Sequence, residues 1–169
     1  LRMRVDDLTT AMATHERRAL LGEDYAEEVD LEVVHRFLNR RGYAHIYTPD
    51  ATQIVVDYAG TNHDFEVSIQ LFEKANVLYL ATSRLLSLAD ASDTGAVVMA
   101  LTQLASQNYE MLVGKFQLNP ETGEIILSAE LHLQNGMSAD LLSRVLDLVC
   151  RTADERYPAL FTAVSGSGI

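Results

Sequence analysis

The feature that most restricts the fold is a change of hydrophobic period near Gly136. Before it, Leu112, Gly114, Phe116 and Leu118 alternate with Val113, Lys115 and Gln117, and Ile125, Leu127, Ala129, Leu131 and Leu133 alternate with Ser128, Glu130 and His132. A period of two puts each set on one face of a β-strand. Between the runs, Pro120 has no N–H for a ladder and Gly123 tolerates positive φ, so a hairpin is expected. After Asn135-Gly136 the period becomes helical. Ser138 can cap a helix in which Leu141, Leu142, Val145, Leu146, Leu148 and Val149 share a face, with Arg144, Asp147, Arg151 and Asp154 on the solvated side. Pro158 is expected to end this helix, since the residue before a proline is pushed out of α geometry. The strand row needs a cover and the helix stripe needs a floor. At roughly 1.5–3 kcal/mol per buried aliphatic side chain, the stripe is enough to fix the helix on the sheet.

The upstream chain follows the same logic. Asp30 caps a short helix over 31–41 with Val33, Val34, Phe37 and Leu38 on one face, and Gly42 stops it. Strands are predicted over 43–48, 52–58, 65–72 and 77–83, an antiparallel meander with turns at Pro49-Asp50 and from Gly60 to Asp64. Ile54, Val56 and Tyr58 match Phe65, Val67, Ile69 and Leu71 as the core row. The opposite parity is mostly polar, but Val55, Phe72, Val113 and Ile126 interrupt it. Ser92 or Asp93 can cap a middle helix in which Val97, Val98, Leu101, Leu104, Ala105 and Tyr109 recur at helical spacing, with no charged residue from Thr94 to Asn108. The resulting order, α-β-β-β-β-α-β-β-α, gives an α+β fold with an antiparallel β-sheet packed on one side by helices. Residues 30–161 form this domain. Residues 1–29 read as an amphipathic helix or arm plus an acidic connector from Glu23 to Glu28, and 162–169 as a tail.

Charge and cysteine usage narrow the function. Thirteen Lys and Arg against 24 Asp and Glu give a net charge of −11, which argues against direct binding of nucleic acid or anionic lipid. The basic cluster Arg36, Arg40 and Arg41 suits a helix C-terminus answering the macrodipole. A single cysteine, Cys150, sits in an apolar stripe, so no intrachain disulfide forms and a cytoplasmic setting is expected. No apolar run is long enough for a membrane span. The five histidines, His15, His35, His45, His63 and His132, lie on different elements without metal-ligand spacing. His45 and His132 are expected to point outward from strands, and His63 to belong to a turn. No nucleophile elbow, polar-set cysteine or phosphate loop is present, so neither metal, cofactor nor catalytic residue is expected.

The run Leu112-Val113-Gly114-Lys115-Phe116-Gln117-Leu118, then Gly123-Glu124-Ile125, then the capped helix ending Ala153-Asp154-Glu155-Arg156-Tyr157-Pro158-Ala159-Leu160, resembles the YbjN family of bacterial proteins. The resemblance covers roughly residues 30–160. It implies a type III secretion chaperone-like fold, a homodimer that binds other proteins, no cofactor, and a regulatory or stress-related role. Related chaperones hold a partner segment on apolar patches or along a sheet edge.

Together these readings lead to a non-enzymatic, homodimeric adaptor or chaperone-like protein. Val55, Phe72, Val113 and Ile126 are the candidate partner-binding residues, because their parity opposes the core row. Val98, Leu101 and Ala105 are the candidate dimer seam. A competing expectation is a small-molecule-sensing regulatory domain with a cleft lined by Tyr43, Tyr47 and Tyr58.

Overall fold

The computed structural model describes residues 22–166, so most of the expected N-terminal arm, residues 1–21, lies outside the described residues. The elements are β1 (Tyr25–Ala26), α1 (Leu31–Arg41), β2 (His45–Tyr47), β3 (Gln53–Tyr58), β4 (Phe65–Phe72), β5 (Val77–Thr82), β6 (Leu86–Ser87), α2 (Thr94–Glu110), β7 (Lys115–Leu118), β8 (Glu124–His132), β9 (Met137–Ser138) and α3 (Ala139–Ser165). The expected order holds, with three two-residue strands added: β1, β6 and β9.

The main sheet runs β2-β3-β4-β5-β8-β6, and β7 joins the other side of β8. Register explains the core. Ile54 pairs with Ile69, Ile69 with Leu80, and Leu80 with Ala129, so one face carries an apolar row across four antiparallel strands. Helices α1 and α3 pack against this face, and α2 packs on α3 and β7. Phe37, Leu38, Ile54, Ile69, Leu80, Leu127, Leu142 and Leu146 are fully buried there. The caps sit where the sequence puts them. Asp30 Oδ1 accepts from Val33 N at 2.8 Å, Asp93 Oδ1 from Ala96 N at 2.9 Å and Ser138 Oγ from Leu141 N at 3.1 Å.

Several expectations are corrected. The acidic connector is tied down: Tyr25 is buried and donates its hydroxyl to Asn135 O at 2.6 Å, while β1 pairs with β9. β7 begins only at Lys115, because Gly114 turns with φ 76° and leaves Leu112 fully exposed. Helix α2 is rotated from its expected stripe and buries Ala96, Ala100, Leu104 and Gln107. The two alanines let it lie close against its neighbours, which turns Val98 and Leu101 outward.

The largest correction concerns α3, which does not stop at Pro158 but continues to Ser165. A proline inside a helix has no N–H for the carbonyl four residues earlier, here that of Asp154. Asn62 takes that place, donating its side-chain Nδ2 to Asp154 O at 3.1 Å. The Asp154 carboxylate, expected in solvent, is only 6% exposed and receives the backbone N–H groups of Thr61 (3.0 Å), Asn62 (2.7 Å) and His63 (3.0 Å). Burial pushes its pKa up, but these donors outweigh that effect and hold it below the usual carboxylate value. The His63 ring stacks on Tyr157 at 4.2 Å. The β3–β4 turn is thereby clamped onto α3.

Candidate functional site

The sheet face turned away from the helices carries Ile46, Val55, Ser68, Ala81, Ser128 and Lys115 in one cross-strand row. Ala81 and Ser128 are small, and Tyr79 reaches diagonally across β8 to donate its hydroxyl to Gln117 Oε1 at 3.1 Å. That bridge spans the Ser128 position and accounts for its burial. Phe72, 46% exposed, sits two rows away, edge-on to Tyr79 at 6.0 Å. Val55 is half-buried opposite the exposed Ile46 at the far edge. Ile126 is half-buried opposite Gln117, and Val113, 48% exposed, lies just before β7. Val55, Phe72 and Ile126 thus share the face but are separated by Ser68, Gln70 and Ser128, and Val113 stands at its rim.

β8 also leaves an open edge. On its β7 side only residues 125–128 are paired; 129–132 pair with β5 on the other side and, among the described residues, have no strand partner on this one. β7 parts from β8 at the Gly114 turn, φ 76°, where a Cβ would meet the Ser128 carbonyl at 3.0 Å. A shallow depression lies at the fork, lined by Leu112, Gly114, Lys115, Gln117, Ser128, Ala129 and Glu130.

The outward face of α2 is the second surface. Val98 and Leu101 are exposed, 58% and 41%, and Ala105 is exposed beside them. Tyr109 continues the line at 93% exposure. An apolar groove adjoins it between α2 and α3, lined by Val98, Met99, Thr102, Gln103, Ala159, Thr162 and Ala163.

The three tyrosines of the expected cleft do not converge. Tyr43 donates to Asp147 of α3 at 2.6 Å, Tyr47 donates to Leu31 O of α1 at 3.2 Å, and Tyr58 packs on Phe65. Burial, then the Asp147 bond, pushes the Tyr43 hydroxyl up to about 12. Cys150 is buried, and burial pushes its thiol up to about 12, which leaves no thiolate for chemistry near neutrality. His45 does not point outward; it bonds to His35 on α1. Among the described residues no three His, Cys, Asp or Glu side chains are placed to hold a metal ion, and no helix is long and apolar enough to cross a membrane.

Comparison with known proteins follows the fold. Residues 30–162 match the YbjN family, described as "Putative bacterial sensory transduction regulator". No curated protein matches the sequence. Among solved structures, that of YbjN from E. coli is similar at a TM-score of 0.60 and 11% identity, covering 82% of this chain and 93% of that one. The HopA1–SchA chaperone–effector complex matches at 0.51 and 11% identity, covering 78% and 99%. The ExsC–ExsE complex matches at 0.48 and 16% identity, covering 87% and 95%, too distant to add to the comparison. The architecture is therefore α+β and type III secretion chaperone-like, and the chain belongs to the YbjN family.

Proposed function

We propose that this protein is a non-enzymatic, homodimeric adaptor of the cytoplasm that holds a segment of a partner protein on the sheet face opposite its helices. Val55, Phe72, Val113 and Ile126 make the apolar contacts, and the open edge of β8 offers backbone groups for an added strand. The observation that carries this reading is the exposed pair Leu112 and Val113 beside the unpaired edge of β8, at the fork between β7 and β8. The likeness to a chaperone–effector complex supports a protein as the ligand, and the family description supports a regulatory role.

Charge indicates where a dimer seam would lie. Two copies at −11 each repel, so self-association must form where charge is absent, and α2 from Thr94 to Asn108 carries none. Val98, Leu101 and Ala105 form that seam.

Charged substitution separates the two surfaces. Val113→Glu with Phe72→Glu should abolish capture of the partner in cross-linking from the native cell, with the circular dichroism spectrum unchanged. Leu101→Glu should convert a dimer to a monomer in light scattering. Undiminished capture by the first variant, or a monomeric wild type at micromolar concentration, would count against the respective surface.

A further inference from the structure

Two histidines of α1 and β2 form a contact that partner binding does not use. His45 Nε2 lies 2.7 Å from His35 Nδ1, with the rings edge-to-face at 4.8 Å. On the far sides, His45 Nδ1 is 2.8 Å from the Tyr43 carbonyl oxygen and His35 Nε2 is 2.9 Å from Asn39 Nδ2. A carbonyl only accepts, so His45 Nδ1 carries a proton and donates it. In a neutral ring the His45 Nε2 is then an acceptor, so His35 Nδ1 donates to it. His35 Nε2 in turn accepts from the Asn39 amide. With both rings neutral, this is the one set of donors and acceptors that satisfies all three contacts.

This arrangement limits proton uptake. One added proton can sit on His35 Nε2 if the Asn39 amide turns its oxygen inward. A second would set N–H against N–H across a 2.7 Å gap and break the bond. Among the described residues nothing nearby compensates for two charges. On α1, the Glu32 carboxylate accepts the Tyr47 hydroxyl at 3.3 Å, and Arg36 lies over the Phe37 ring. On β2, the Tyr47 ring is 5.3 Å from His35. Tyr43 just before β2 is bonded to Asp147 of α3. β3 presents Val56 opposite His45, with Tyr58 next on that face. Among the described residues neither imidazole has a carboxylate partner.

We propose that the His35–His45 pair is a proton-sensitive latch that holds β2 against α1 near neutrality and releases it in acid. β2 is a three-residue edge strand that, among the described residues, pairs only with β3, so its hold on the body depends on few contacts: this pairing, the histidine pair and the Tyr47 hydroxyl on Leu31 O of α1. Its release uncovers the β3 edge at Val55, which pairs with Ile46. Acid thereby changes the partner-binding face, a consequence that rests on the adaptor reading, whereas the latch itself does not.

The test needs no partner, so its failure is distinct from a failure of the adaptor reading. Amide hydrogen exchange is followed at pH ~7.5 and ~5, either side of the range in which free histidine titrates. In the wild type, protection of Ile46 and Val55 should fall about tenfold more than that of β4 and β5 after correction for intrinsic exchange. In His35→Gln that selective fall should vanish. An equal fall in the variant, or none in the wild type, overturns the proposal. Should the variant not fold, imidazole nitrogen spectra of the wild type decide: at neutral pH both rings should carry the proton on Nδ1, and an Nε2–H tautomer on either ring overturns the latch.

Discussion

Replacing Asp154 with alanine removes the acceptor that anchors the β3–β4 turn to α3. Three backbone N–H groups lose a charged partner at 2.7–3.0 Å, and such bonds contribute about 1.5–3 kcal/mol each in isolation. The sum does not apply in full. Thr61 and Asn62 are exposed, so water reaches part of the freed turn, and a net loss of about 3 kcal/mol follows. In a domain of this size that lowers Tm by about 6–12 °C. The acid limb provides a second check. The folded pKa of Asp154 lies below its ordinary value, so its contribution is complete above the ordinary carboxylate range and is lost as pH falls through the lowered value. The Tm gap between wild type and Asp154→Ala should therefore be constant from neutrality to about pH 5 and close below about pH 4. Differential scanning calorimetry across that range measures both. A gap under about 2 °C at neutral pH, or one that persists undiminished at the acid end, refutes the clamp.

Two further expectations concern nearby positions. Pro158→Ala supplies the missing N–H to Asp154 O, so Asn62→Ala should cost less in that background than in the wild type. A double-mutant cycle by denaturant unfolding should give a coupling of about 1 kcal/mol, and additive costs would mean that Asn62 does not stand in for the missing N–H. Gln107 is 1% exposed, and neither amide atom has a hydrogen-bond partner among the described residues. Gln107→Met should raise stability by about 1–2 kcal/mol, read as a higher midpoint in urea, whereas a lower midpoint would reveal a partner for the amide.

Period-two and period-3.6 patterns carried most of the fold, because register and burial act on whole rows. What they missed depends on single contacts between distant segments. Asp154 falls on the polar side of its helix by spacing, and only the approach of Thr61, Asn62 and His63 turns it into a buried acceptor. Pro158 reads locally as a stop, and a side chain some 90 positions away makes the interior proline tolerable. α2 shows the opposite error. Its large residues suggested the buried stripe, yet close packing selected Ala96 and Ala100, a preference that volume rather than hydrophobicity decides. His45 alternates correctly as a strand residue, but the sheet face it occupies meets α1. The candidate surface residues were legible as exceptions to parity; the open edge was not, since it arises from the turn at Gly114.

The C-terminal part of the run that resembles the YbjN family is occupied with holding the domain together. From Ala153 to Leu160, Ala153 and Leu160 are fully buried, Asp154 grips the turn, Tyr157 stacks on His63, and Arg156 reaches Glu110 of α2 at 3.3 Å. Pro158 fits the same scheme by freeing the carbonyl that Asn62 uses. These residues set the angle between sheet, α2 and α3, and so fix where the β7–β8 fork and the outward face of α2 lie. Within this segment Ala159 lines the groove beside the outward face of α2. Under the adaptor reading, what each member holds would be set by residues outside that segment: Val113 and Leu112 at the fork and Phe72 at the end of β4. Exchanging those positions between two members should transfer partner choice with little change in stability, while exchanging Ala153 to Leu160 should do the reverse.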